Sequence, residues 1–148
     1  MVLEFNARFG DPEAQALLPL IEGELAHALL GVATGDLGGA TGSLATRGEA
    51  AVAVVVASDG YPDAPLTGLP LSGAEPSGPG DAGPLLCFHA GTRTVGGGYA
   101  STGGRVVTMV GIGPYLGAAR EVAYRGVAGI GLAGSQHRTD IALREAVG

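Results

Sequence analysis

Residues 50–57 read Ala-Ala-Val-Ala-Val-Val-Val-Ala, with no polar side chain on either parity. The β-branched valines favour extended backbone, and a strand that lacks a polar face has to be covered on both sides. The run predicts a buried central strand, which Ser58-Asp59-Gly60-Tyr61-Pro62 ends with turn-forming residues. Burying such a strand takes further elements, and the sequence supplies them downstream. Residues 85–90 read as a second short strand, residues 94–102 as a glycine-rich hairpin and residues 106–113 as a third strand. From 116 to 130, Leu116, Ala119, Val122, Ala123, Val127 and Ile130 recur every three or four positions, the spacing of an amphipathic helix. Arg120 and Tyr124 lie one turn apart on it, as do Glu121 and Arg125 on its exposed side. Together these predict an α+β fold in which a small mixed or antiparallel sheet carries a packed helix. Residues 65–84, rich in Pro, Gly and Ser, read as a solvated loop without core-forming content.

The first residues follow a different pattern. From 3 to 9, Leu3, Phe5, Ala7 and Phe9 alternate with Glu4, Asn6 and Arg8, which predicts a half-buried strand. Its polar face would carry Glu4, Asn6 and Arg8 in a row, neighbours roughly 6 to 7 Å apart. Carboxylate and amide oxygens are the hard ligands that Mg²⁺ prefers, and a guanidinium can clamp a phosphate or carboxylate with two hydrogen bonds. Gly10-Asp11-Pro12-Glu13 then turns the strand into a helix, with Asp11 as N-cap and Pro12 at the first helical position. Asp11 and Glu13 already place two carboxylates at that helix start, so the corner suits an amine or a metal better than a phosphate. The same spacing also describes an amphipathic edge strand with a capped helix behind it.

Pro19 should interrupt the apolar periodicity that follows, giving a helix over 12–18 and a second over 21–33. Leu25, Leu29, Leu30 and Val32 of the second helix are expected to face a core, and His27 carries no assigned role. Small and polar residues from 31 to 48, centred on Gly35-Asp36-Leu37-Gly38-Gly39, mark a boundary between a unit at 1–48 and one at 49–148.

All eight basic residues are arginine, against 14 acidic ones, for a net charge of −6. No basic stripe exists to neutralise nucleic-acid phosphates. No apolar run is long enough to span a membrane and no basic segment opens the chain, so neither a span nor a secretory signal is expected. Cys87 is the single cysteine, which fits a cytoplasmic location, and its apolar neighbours Leu86 and Phe88 make it a buried small hydrophobe. The 28 glycines form no phosphate-binding P-loop spacing.

Leu3-Glu4-Phe5-Asn6-Ala7-Arg8-Phe9-Gly10-Asp11-Pro12-Glu13 closely resembles the strand-to-helix signature of the phosphoribosylamine–glycine ligase family within the ATP-grasp superfamily. Four further stretches resemble the same family in the same order: the valine-rich strand closing on Ala57-Ser58-Asp59-Gly60-Tyr61-Pro62, then Phe88-His89-Ala90-Gly91-Thr92, Gly103-Gly104-Arg105-Val106, and Arg138-Thr139-Asp140-Ile141. Ala142 stands where the last motif ends in Gly. The resemblance implies that residues 1–48 end an ATP-grasp domain, a strand plus helices, and that 49–148 form the ligase's C-terminal domain.

It implies an activity too: ATP-dependent joining of glycine to 5-phosphoribosylamine through glycyl phosphate, in purine biosynthesis. Glu4 and Asn6 would hold Mg²⁺ or Mn²⁺, Arg8 would serve catalysis, and Arg8, Asp11 and Glu13 would bind substrate. The family's ATP-binding lysines belong to earlier segments, and this chain has none, so it is expected to need that missing N-terminal part and to be inactive alone. The uncovered opening strand is then expected to self-associate. His89 reads as structural, and Arg105 either faces the active site or closes an ion pair. The alternatives are another ATP-grasp carboxylate–amine ligase, or a non-catalytic α+β binding or oligomerisation module.

Overall fold

The computed structural model describes residues 5, 7–36, 44–75 and 84–147. In chain order the elements are α1 (Glu13–Leu17), a 3-10 turn (Leu18–Leu20), β1 (Ile21–Glu22), α2 (Leu25–Thr34), β2 (Ala45–Thr46), β3 (Ala50–Ala57), β4 (Pro70–Leu71), β5 (Leu85–His89), β6 (Thr92–Val95), β7 (Gly98–Ser101), β8 (Arg105–Gly113) and α3 (Leu116–Ala128), before a terminal 3-10 turn (Glu145–Val147). The α+β expectation holds, with antiparallel pairing in every sheet.

The main sheet runs β3–β8–β5. Its middle strand is therefore β8, not the valine run: β3 buries Val52, Val54 and Val56 on one face, leaves Ala51, Ala53 and Val55 half-buried on the other, and has a full strand partner on one side only. The nine residues of β8 are long enough to pair with β3 and β5 at once. One face of the sheet carries Val52, Val54, Val56, Val107, Met109 and Cys87, and α3 lies on it through Ala119, Ala123 and Val127. Gly111 and Gly113 let the helix approach: a Cβ on Gly111 would run into the backbone of Ala119 and Ala123, and one on Gly113 would sit 2.8 Å from the Ala119 nitrogen. Each valine fully buried here contributes about 1.5 to 3 kcal/mol. The opposite face buries Leu86, Val110 and Ile112; Ala51, Ala53 and Phe88 of the same sheet are partly buried beside them, and Leu20 packs on this face from the 3-10 turn.

The hairpin β6–β7 forms as expected, because Gly96 and Gly97 both take positive φ (56° and 83°), the pair of values a tight turn of this hand requires. β4 adds to it, giving a second sheet β4–β7–β6. Leu71 and Ala74 are buried, so part of 65–84 is core, contrary to expectation; alternate apolar residues among the prolines suffice once a strand edge is offered.

Larger corrections concern the first residues. Among the described residues 5 and 7–9, none is in a strand: Ala7 and Arg8 form a bend. A strand needs a hydrogen-bonding neighbour, and the described chain offers none there. The rest of that expected strand, including Glu4 and Asn6, lies outside the described residues. The first helix starts one residue late, with Pro12 at the cap and no side-chain cap. Of the four α2 residues expected to face a core, Leu25 is half-buried while Leu29, Leu30 and Val32 are exposed, and the one buried residue of the helix is Gly31.

Candidate functional site

Asp11 is held from two directions. Arg105, the first residue of β8, donates from Nη1 to the Asp11 carbonyl at 2.9 Å and from Nη2 to its carboxylate at 3.0 Å. From the other side the Gln15 amide donates to the second carboxylate oxygen at 2.9 Å. Of the two roles open to Arg105, facing the active site or closing an ion pair, the structure shows the ion pair, made with Asp11, itself a candidate substrate residue. The clasp fastens the turn before α1 to the end of the main sheet. Gln15 has its Oε1 buried without a hydrogen-bond partner.

Two open cavities flank the clasp. One, of about 400 Å³, lies between α1 and β5 and is lined by Gly10, Asp11, Ala14, Gln15, Leu18, Pro19 and Phe88. The other, of about 330 Å³, lies over the end of β3 and is lined by Val55, Ala57, Tyr61, Arg105, Gln136, His137 and Arg138. Residues 136–138 are carried there by a backbone bridge, in which Gln136 and Ala57 exchange hydrogen bonds of 2.8 and 2.9 Å. Gln136 also donates from its side chain to the Tyr61 carbonyl at 2.7 Å.

Helix α3 fixes the segment beyond. The Arg120 guanidinium sits 4.4 Å over the Tyr124 ring and donates to the carbonyls of Thr139 and Ile141, while the Tyr124 hydroxyl donates to that of Arg138 at 2.7 Å. The i,i+4 spacing of Arg120 and Tyr124 was visible in the sequence; that the pair holds a distant segment was not. Arg138 forms a two-bond pair with Asp140, at 2.9 and 2.6 Å, which holds the carboxyl below and the guanidinium above their ordinary values, the hydrogen bond being the main cause.

The other expected site residues are placed less closely. Arg8 is exposed, with Nη1 donating to the neighbouring Phe9 carbonyl at 2.7 Å. The exposed Glu13 folds its carboxylate back over Gly10 and lines neither cavity. Among the described residues no three His, Cys, Asp or Glu side chains group to hold a metal. His89 is structural: its ring bonds to Thr92 Oγ1 at 2.8 Å and to the Ala74 carbonyl at 2.6 Å, and packs edge-on against Tyr99. Cys87 is buried, which pushes its thiol up to about 11, with the Glu75 charge adding to the effect.

A family model described as phosphoribosylglycinamide synthetase, C domain, matches residues 51–144. The chain is 50% identical over 145 residues to the phosphoribosylamine–glycine ligase of Streptomyces coelicolor, covering 98% of this chain and 35% of that protein. Against the enzyme of the same name from Caulobacter vibrioides the identity is 42% over 144 residues, with 97% and 33% covered. The crystal structure of the phosphoribosylamine–glycine ligase of Thermotoga maritima superposes with a TM-score of 0.77 at 33% identity, over 95% of this chain and 33% of that one. The chain thus spans about a third of the length of the curated relatives it matches, and the matched model coincides with the unit built on the buried sheet. It belongs to the phosphoribosylglycinamide synthetase C-domain family.

Proposed function

We propose that these residues form the C-terminal part of an ATP-dependent ligase that joins glycine to 5-phosphoribosylamine and yields glycinamide ribonucleotide for purine biosynthesis. The observation that carries the reading is the 50% identity over 98% of the chain to an enzyme of that name. In this chemistry the glycine carboxylate attacks the γ-phosphoryl of ATP, giving glycyl phosphate and ADP. The amine of phosphoribosylamine then attacks the glycyl carbonyl and expels phosphate.

Each expected site residue has a part that its chemistry suits. The Asp11 carboxylate receives an ammonium or amine, with Glu13 adding charge at the same corner. The unpaired Gln15 Oε1, buried in the residue that bonds Asp11, adds an unsatisfied acceptor to this corner. Arg8 keeps guanidinium donors beyond the one on Phe9 and steadies the transferring phosphoryl or the glycine carboxylate. The oxygen donors of Glu4 and Asn6 fit Mg²⁺ or Mn²⁺, which when bound neutralises phosphate charge. The lysine-free chain leaves the clamp on ATP to the two thirds of the relatives' length that it does not match. A cytoplasmic enzyme agrees with the lone cysteine and with the lack, among the described residues, of a helix able to cross a membrane. Alone, the chain self-associates through the exposed Phe5, Phe9, Leu30 and Val32.

The test joins this chain to the N-terminal residues of the Streptomyces coelicolor ligase that it does not match. Glycine- and phosphoribosylamine-dependent ADP release is expected from the joined protein and none from the chain alone. Asp11→Asn in the joined protein raises a substrate KM about tenfold or more, the loss expected for a charge-assisted hydrogen bond. A folded joined protein without turnover overturns the reading.

A further inference from the structure

Residues 136–141 cross the end of the main sheet with little secondary structure of their own. Gln136 makes a single backbone bridge to Ala57, and residues 137–140 are exposed and in neither helix nor strand. Water can satisfy the carbonyls of such a stretch, which ordinarily stays mobile. Here it is fixed at both ends. Gln136 exchanges backbone hydrogen bonds with Ala57 and donates from its side chain to the Tyr61 carbonyl at 2.7 Å. At the far end two side chains of α3 bond four backbone groups. Arg120 donates from Nε to the Ile141 carbonyl at 2.9 Å and from Nη2 to the Thr139 carbonyl at 2.7 Å. The Tyr124 hydroxyl donates to the Arg138 carbonyl at 2.7 Å and accepts from the Ile141 amide at 3.2 Å.

Arg120 is the informative member of this set. The chain has 14 acidic residues, yet among the described residues this guanidinium pairs with no carboxylate. Its planar fork goes to two carbonyls while its central carbon lies 4.4 Å over the Tyr124 ring, so each side chain fixes the other. Another face of α3 carries Ala119, Ala123 and Val127 into the core, which makes the helix a rigid mount. A hold exerted on backbone groups leaves the segment's side chains for other use. Arg138 bonds Asp140 through Nε and Nη2 and keeps Nη1. It lines one cavity with Arg105, which in turn holds Asp11.

We propose that Arg120 and Tyr124 are positioning residues of the ligase: they touch no reacting group and act by fixing where the Arg138 guanidinium stands beside Arg105. The inference rests on the ligase reading. A donor group loses its effect on a reaction steeply when it is displaced by about 1 Å. Helix α3 supplies the fixity that the backbone of residues 137–140 lacks.

The test is a double-mutant cycle in the joined ligase. Tyr124→Phe keeps the ring under Arg120 and removes both hydroxyl bonds, and kcat/KM is expected to fall about tenfold. Arg138→Gln lowers it by at least as much. Tyr124→Phe added to Arg138→Gln lowers it by less than about twofold further, because a residue that acts through Arg138 then has nothing left to position. Val127→Ala, which trims the core side of the same helix, lowers the urea midpoint at least as much as Tyr124→Phe and leaves kcat/KM unchanged. In the 148-residue chain, Tyr124→Phe shifts the Ile141 amide in NMR spectra, since that amide loses its acceptor. Losses from Tyr124→Phe that are equal with and without Arg138, or that Val127→Ala reproduces, belong to a merely structural residue and overturn the proposal. So does an Ile141 amide that stays in place. A folded joined protein without turnover sinks the ligase reading and this inference with it; normal turnover that Tyr124→Phe leaves unchanged sinks this inference alone.

Discussion

The two ends of this chain use apolar residues in opposite ways. In the unit built on β3, β8 and α3, Val54, Val56, Val106, Val107 and Val110 are sealed from solvent. In the described part of residues 5–36 only Gly31 is buried, while Phe5 is 91% and Val32 70% exposed. The first unit finds the cover for the α3 side of its sheet within its own sequence. The second has an apolar pattern without a surface to meet it, apart from α1 and Leu20, which cover one face of the sheet. Hydrophobic periodicity reports that a face is meant to be covered, and says nothing about which polypeptide covers it.

The comparison breaks most visibly under substitution at the interface of sheet and helix. Gly111→Ala puts a Cβ into the backbone of Ala119 and Ala123, where no side chain can swing aside. A loss of about 3 kcal/mol or more is expected from such overpacking. Val32→Ser, on the exposed face of α2, should change stability by no more than about 0.5 kcal/mol while reducing self-association. Urea unfolding of both variants, with light scattering for the second, checks the pair. A loss from Val32→Ser as large as that from Gly111→Ala would mean that α2 packs on the core after all.

Legibility in the sequence followed the same division. The positions of β3, β5, β8, the glycine hairpin and α3 could be read because each pattern is completed by neighbours inside the chain. The place of β8 at the centre of the sheet could not be read, since the valine run has the stronger local signal and strand order depends on pairing partners far apart in sequence. The clasp between Asp11 and Arg105 joins positions 94 apart, and no local rule relates them. Arg138 was visible only as part of a motif; its setting depends on Arg120 and Tyr124 holding the segment from another element.

A smaller effect sharpens the contrast from inside the core. Burial keeps the Cys87 thiol protonated up to about 11, against an ordinary value near 9.0 in the unfolded chain. Native protein therefore binds more protons than unfolded protein between these values. The favourable contribution is complete below pH 9 and is lost as pH rises from about 9 through about 11. Cys87→Ala should flatten that part of the stability profile, measured by urea unfolding at pH 8 to 11. An unchanged slope in the variant would show that the thiol is solvated and that the core is looser than its packing indicates.

The smallest effect tests Ala142, the one non-glycine residue with positive φ among the described residues. Ala142 has a φ of 54°, in the left-handed region that disfavours any residue with a Cβ. It is kept there from outside: Arg120 bonds the Ile141 carbonyl at 2.9 Å and the Tyr124 hydroxyl accepts from the Ile141 amide at 3.2 Å, so the chain leaving α3's grip has little choice of direction. The related motif ends in Gly at this place, and the geometry supplies the reason. Ala142→Gly relieves about 1 to 2 kcal/mol of steric cost and gives back about 0.4 to 1 kcal/mol through the freer unfolded chain. A net gain of about 0.5 to 1 kcal/mol is expected in urea unfolding, with the amides of Ala57 and Arg105 unshifted in NMR spectra. A loss of stability instead would mean that Ala142 relaxes out of the left-handed region, and that the hold of Arg120 and Tyr124 on residues 138–141 is weaker than their hydrogen bonds imply.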